Sequence, residues 1–404
     1  MSRMLYAPSD IEHAQSTRER TSGGPMNHDP VLPELRLNLR ALEHNVELMA
    51  AWCREQGVEL APHIKTTMTR PIVERQLAAG AWGVTVATVR QAGIAVEWGI
   101  RRVLIANEVV RDADLTTLRQ WLDTVPDLEL YCLVDSHAGL GLARSALRGA
   151  ANPLRILIDV GTPEGRTGVR EPAEAHALGE AVADPDAAPG LLLAGVAGYE
   201  GVRPNRRDTD TLADVDAHCR RTAEVLHGLA PLIRSGRPVL SMGGSAFPDR
   251  AVEAYRELSA RPDGPAPVFV LRSGCYVTHD HGTYRQVTPF PGLEGALTVR
   301  AVVLSTPEPG RAVLGAGKRE LPYDAGLPVL LGARTPGAPF RATTGTAVQI
   351  FDHHLTLTDA HDLRVGDEVD LGISHPCSAF DKWPDITVVD EEGTFREVWH
   401  PRFR

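Results

Sequence analysis

Val58-Glu59-Leu60-Ala61-Pro62-His63-Ile64-Lys65-Thr66 reads as a short apolar run that ends on a lysine, with a helix-like segment starting near Pro71. Strand, amine, helix is the order of a β-to-α crossover. In parallel α/β folds the side chains at the C-terminal ends of strands are the ones that reach the active site. An amine held there among apolar neighbours loses its proton cheaply and serves as a Schiff-base nucleophile. Lys65 is therefore the first candidate catalytic residue.

The same pattern recurs along the chain. Apolar runs at 82–87, 102–106, 129–134, 154–160, 191–197, 237–241 and 267–272 join the one at 58–64, and segments of helical length separate them. An amphipathic helix precedes them all, with Leu39, Leu42, Val46 and Met49 at helical spacing. Nearly continuous apolar runs mark strands buried on both faces. Eight such β/α units over about 240 residues fit a (β/α)8 TIM barrel, although an open doubly wound sheet would leave the same pattern. Beyond Pro289 short alternating segments take over, at 297–305, 311–314, 346–351, 367–372 and 385–389, separated by Pro and Gly clusters. They predict an antiparallel β domain, with which the extended Val31–Leu37 can pair. The expected organisation is a flexible extension over 1–29, a barrel over 30–289 and a C-terminal β domain over 290–404.

Bulk properties narrow the function classes. The 404 residues carry a net charge of −10 and no run of five basic residues, which argues against nucleic acid and anionic membrane surfaces as partners. No apolar stretch approaches the roughly 20 residues of a membrane span, and the N-terminus lacks the apolar core of a signal peptide. The five cysteines (53, 132, 219, 275 and 377) are odd in number and never form a CxxC pair. That argues against a disulfide framework and for a cytoplasmic protein.

Strand ends carry the candidate chemistry. Arg166 lies in the glycine-rich turn after the fifth barrel strand, and Tyr199 follows the sixth. Gly243-Gly244-Ser245 follows the seventh, and Gly274-Cys275-Tyr276 the eighth. Loops after strands seven and eight are where TIM barrels commonly bind phosphate through unobstructed backbone N–H groups. A strand-end lysine opposite a phosphate cradle predicts pyridoxal 5′-phosphate, with Lys65 as its anchor and as the proton acceptor at the substrate Cα. Arg166 and Tyr199 are expected to contact the cofactor. Farther on, His375 and Cys377 stand two apart in Ser374-His375-Pro376-Cys377, facing the same way in extended chain. Imidazole and thiolate suit Zn²⁺, and two protein ligands leave positions open for water or substrate. His279-Asp280-His281 and His353-His354 read as ordinary solvated loop residues.

These landmarks resemble the D-serine dehydratase/D-threonine aldolase family of pyridoxal-phosphate enzymes with an alanine-racemase-like barrel. The resemblance runs from about residue 30 to the C-terminus. It is carried by Pro62-His63-Ile64-Lys65-Thr66, Gly80-Ala81-Trp82-Gly83-Val84-Thr85-Val86-Ala87-Thr88, Ile105-Ala106-Asn107-Glu108-Val109 and His375-Pro376-Cys377 with Phe380-Asp381-Lys382-Trp383. It implies the cofactor lysine at Lys65, a divalent metal at His375 and Cys377, and a homodimer in which the β domain packs on the partner's barrel. It further implies a lyase acting on a β-hydroxy-D-amino acid. Dehydration to a keto acid and ammonia is expected from the His-x-Cys pair, with retro-aldol cleavage to glycine and an aldehyde as the alternative. Zinc is the expected metal, ahead of manganese or magnesium. A racemase or epimerase and a non-catalytic pyridoxal-phosphate carrier are more remote. A carrier would resemble the barrel alone, and Tyr323, the sole tyrosine of the β domain, does not stand in a racemase-like motif.

Overall fold

After β1 (Glu34–Asn38) and α1 (Leu39–Gln56), the chain lays down eight parallel strands. They are β2 (Glu59–Leu60), β3 (Val84–Val86), β4 (Arg102–Glu108), β5 (Glu129–Val134), β6 (Leu154–Val160), β7 (Leu191–Gly198), β8 (Val239–Met242) and β9 (Val268–Leu271). Helices α2 (Arg70–Ala78), α3 (Val89–Glu97), α4 (Asp112–Thr124), α5 (His137–Leu147), α6 (Pro172–Ala183), α7 (Thr209–Leu229) and α8 (Pro248–Ser259) alternate with them. The computed structural model describes residues 30–403 apart from 187, 235, 264 and 265. The extension expected over 1–29 lies outside the described residues.

Strands β3 to β9 neighbour one another in chain order, and β9 also pairs with β2. Trp82 N donates to Leu60 O (2.8 Å) and Thr85 N to Pro62 O (2.9 Å), joining β2 to β3. These bonds close the sheet into a barrel and remove its edges. Strand alternation then sorts the apolar runs into two cores. Leu104, Tyr131, Leu133 and Leu157 meet inside the barrel, whereas Val103, Ile105, Leu130 and Ile156 pack outward against the helices.

Helix α1 supplies the eighth helical cover from the N-terminal side. The Asn38 side chain caps it by accepting from Ala41 N, and Gly57, in a left-handed conformation (φ 66°), ends it. Its stripe of Leu42, Val46, Met49 and Cys53 is buried. From the same face Asn45 donates to Val277 O (3.3 Å) and Glu294 O (2.7 Å) and accepts from Glu294 N (2.8 Å).

The C-terminal sheet is antiparallel except where β1 joins it. Its strands are β10 (Leu297–Glu308), β11 (Arg311–Leu314), β12 (Val329–Arg334), β13 (Thr346–Ile350), β14 (Leu355–Thr358), β15 (Glu368–Gly372), β16 (Ile386–Val389) and β17 (Phe395–Trp399). As expected for Val31–Leu37, β1 pairs antiparallel with β10 and parallel with β16. Strands β12, β14 and β17 were not predicted. Register slips in β12 between Leu330 and Gly332, β14 has only four residues, and Arg396 and Glu397 leave β17 largely exposed, so none carries a clear alternating stripe. This sheet reaches the barrel mouth through His281 N to Ile373 O (3.0 Å), Thr283 N to Ser374 O (3.1 Å) and Arg402 N to Met68 O (2.7 Å). The short helix α9 (Thr283–Val287) starts at this seam.

Asn45→Ala leaves two carbonyls and one N–H without their buried partner and is expected to destabilise the fold by about 2–4 kcal/mol. Denaturant unfolding measures this, and a loss under about 0.5 kcal/mol would contradict the clasp.

Candidate active site

A cavity of about 210 Å³ opens at the C-terminal ends of the barrel strands, lined by His63, Lys65, Asp159, Tyr199, Arg272 and Cys377 among others. Lys65 sits in the single 3-10 turn Ile64–Thr66 directly after β2. Across from it the Arg166 guanidinium lies 4.6 Å from the centroid of the Tyr199 ring, a cation–π contact. Burial pushes the Tyr199 phenol up to about 12, so the ring is neutral.

The two glycine-bearing loops meet beneath this pair. Ser245 Oγ accepts from Cys275 N (3.2 Å), and Ser273 Oγ donates to Gly244 O (2.7 Å). Gly243 adopts φ +88°, and a Cβ on Gly274 would fall 2.5 Å from His63 O, so both positions require glycine. The N–H groups of Gly243 and Gly244, expected in the phosphate cradle, both donate to the buried Glu200 carboxylate. Tyr276 also departs from expectation. Its hydroxyl accepts from Gln76 Nε2 (2.9 Å), and its ring lies among α1 and α2 residues rather than in the cavity.

Several cavity groups went unread in the sequence. Arg272 is buried at the end of β9, donates to Gly198 O, and faces the charges of Asp159 and Glu200. Asp159 ends β6 and accepts from Thr167 Oγ1 (2.9 Å). The strand-end rule that selected Lys65 also points to both. His63 Nδ1 and Thr162 Oγ1 are buried at the cavity without a protein partner. A polar ligand would meet those two groups, as it would the glycine-lined loops.

The second cluster brings His375, Cys377 and Cys275 together, with their ligand atoms within 4.8 Å of one another. Cys275 Sγ lies 3.1 Å from Cys377 Sγ, and Thr66 Oγ1 3.4 Å from it, one residue from Lys65. His375 Nδ1 is held at 2.7 Å by Asp324 Oδ2, and Ser378 Oγ donates to the other Asp324 oxygen. A carboxylate behind an imidazole fixes its tautomer and orientation for a metal. Burial opposes the His375 charge, but Cys377 and then Asp324 raise its pKa to about 9. The hydrogen bond from Cys275, with His375 alongside, holds the Cys377 thiol well below its usual range. The donor set, sulfur, sulfur and nitrogen, fits a divalent metal ion. His375 and Cys377, the expected metal pair, thus lie together, and Cys275, expected at the cofactor, places its sulfur beside them. The solvated reading of 279–281 is corrected. His279 and Asp280 are buried, and Asp280 accepts from the backbone N–H of Gly282, Tyr284 and Arg285.

Residues 37–248 match the model of the alanine racemase N-terminal domain, and 296–389 that of a putative serine dehydratase domain. The D-threonine aldolase of an Arthrobacter species is 30% identical over 377 residues, 91% of either chain. The chain belongs to the D-serine dehydratase/D-threonine aldolase family. The D-threo-3-hydroxyaspartate dehydratase of Delftia sp. strain HT23 is 27% identical over 302 residues, 73% of each. The crystal structure of D-threonine aldolase from Filomicrobium marinum superposes with a TM-score of 0.75 at 28% identity, covering 92% of this chain and 94% of that one. The barrel with its antiparallel C-terminal sheet is thus the architecture of this family, which pyridoxal phosphate fits.

One acid at the rim has a measurable signature. Glu108 ends β4 with both carboxylate oxygens sealed from water, and burial, then the neighbouring Asp159 charge, pushes its pKa from 4.5 up to about 7. Between those values the folded chain keeps a proton that the unfolded chain has released, so this group's contribution to stability falls as pH rises through that window. Glu108→Gln is therefore expected to stabilise the protein more at pH 8 than at pH 5. Equal offsets in the denaturant midpoint at the two pH values would overturn this.

Proposed function

We propose that the protein is a pyridoxal-phosphate- and divalent-metal-dependent lyase acting on β-hydroxy-D-amino acids. The observation that carries this is the contact of Thr66 with Cys377, which sets an amine-bearing turn and a metal-ligand cluster in one cavity. Bound there, the cofactor supplies an electron sink for negative charge at Cα, and the metal supplies a Lewis acid for the β-hydroxyl.

Lys65 Nζ would anchor the cofactor aldehyde and accept the proton from the substrate Cα, and Arg166 and Tyr199 would contact the cofactor. Ser245 and the Gly274 backbone would hold its phosphate, while Glu200 keeps Gly243 and Gly244 in their turn. Arg272 supplies a buried positive charge at the cavity floor. His375 and Cys377 would hold the metal, and Asp324 orients His375. Two sulfur atoms near one imidazole support zinc over manganese or magnesium.

Dehydration to a 2-keto acid and ammonia is the first reading. Cleavage of Cα–Cβ to glycine and an aldehyde is the second, favoured by the 30% identity with D-threonine aldolase across 91% of the chain. We further propose a homodimer, supported by the exposed Tyr323, Phe340, Val348 and Phe351 of the C-terminal domain. A cytoplasmic location is supported by five free cysteines. No helix among the described residues is long and apolar enough to cross a membrane.

Lys65→Ala is expected to abolish the visible-edge absorbance of the lysine-bound cofactor and all turnover, with the fold intact. Unchanged absorbance would overturn the cofactor assignment. Incubating the zinc-loaded protein with D-serine and D-threonine separates the two reactions. Keto acid with ammonia supports dehydration, and glycine with acetaldehyde supports cleavage.

A further inference from the structure

The sequence offers His375 and Cys377; the structure brings a second sulfur, that of Cys275, to them. We infer that Cys275 is a direct metal ligand, so that the site is a His-Cys-Cys set that selects a thiophilic ion and leaves one position open for the substrate hydroxyl. This deepens the metal-dependent reading above and rests on it.

The Cys275 backbone N–H donates to Ser245 Oγ, which any residue type could do, whereas its sulfur lies 3.1 Å from Cys377 Sγ. Cys275 S–H is a weak donor even toward Cys377, and the contact leaves two sulfur atoms side by side next to one imidazole. The distance is also far beyond the roughly 2.04 Å of a disulfide. Zinc–sulfur bonds of about 2.3 Å at tetrahedral angles place two sulfur ligands roughly 3.8 Å apart, which small side-chain rotations reach from 3.1 Å. His375 completes the triangle with its second nitrogen held by Asp324, the outer support that metal-bound imidazoles commonly have. Three protein ligands with a fourth position open is the composition of catalytic zinc sites, whereas a closed structural site uses four. Two thiolates also discriminate against the oxygen-seeking Mn²⁺ and Mg²⁺ far more than one does.

The test measures metal binding on the full-length protein, without reference to turnover. Zinc competition with a chelator is expected to show affinity lower by at least ~100-fold in Cys275→Ala and Cys275→Ser, with manganese affinity changed much less. In the cobalt(II)-substituted protein, the near-ultraviolet thiolate-to-metal absorption is expected to fall by about half in Cys275→Ala. Wild-type zinc affinity in Cys275→Ala, or a one-thiolate spectrum in the wild-type cobalt protein, would overturn the inference. The second measurement needs no variant and stands even if Cys275→Ala does not fold. Cys377→Ala separates the levels. If it strips zinc while Cys275→Ala does not, only the third ligand fails. If neither loses zinc, the metal-dependent reading fails with it.

Discussion

Two backbone hydrogen bonds, His281 N to Ile373 O and Thr283 N to Ser374 O, hold the strand end that carries His375 and Cys377 over the barrel mouth. Loops at a barrel rim expose N–H and C=O groups, and covering them requires that they be paired. The C-terminal sheet meets this requirement with the segment that presents His375 and Cys377. Cover and chemistry are thus one constraint, since a shift of that strand would unpair the rim and separate Cys377 from Thr66 and Cys275 together.

Electrostatics inside the mouth follow the same economy of position. A buried guanidinium, Arg272, lies near two buried carboxyl groups, Asp159 on one strand end and Glu200 on another. Desolvation alone lowers the arginine pKa and raises those of the acids, while their mutual attraction opposes both trends. A buried charge without such company costs several kcal/mol. Glu200 in addition accepts the amides of Gly243 and Gly244, so the same carboxylate that balances Arg272 shapes a glycine turn.

The barrel was legible because each strand is apolar on both faces and each is bounded by a helix of ordinary periodicity. Closure was not, because the bonds from Trp82 and Thr85 to Leu60 and Pro62 involve backbone only. Lys65, His375 and Cys377 stood out by residue type and place. The pairing of Cys275 with Cys377 did not, since it depends on the approach of two loops a hundred residues apart, and Cys275 already had an adequate local reading beside Gly274. Tyr276 misled for a related reason: the 3-10 turn after β9 rotates it a third of a turn from its neighbour and sends its ring to Gln76. Strands β12, β14 and β17 lacked a stripe, so only tertiary pairing defines them.

The first strand of the described chain finds its partners near the last. Leu37 sits between Leu297 on β10 and Val388 on β16, and Arg36 donates to the carbonyl of Gly393. During synthesis the β/α units between them can form as they emerge, because their contacts are local. β1 cannot: it leaves the ribosome early and waits, with its edge groups unpaired, until nearly the whole polypeptide has followed. The sheet over the barrel mouth is therefore begun first and finished last.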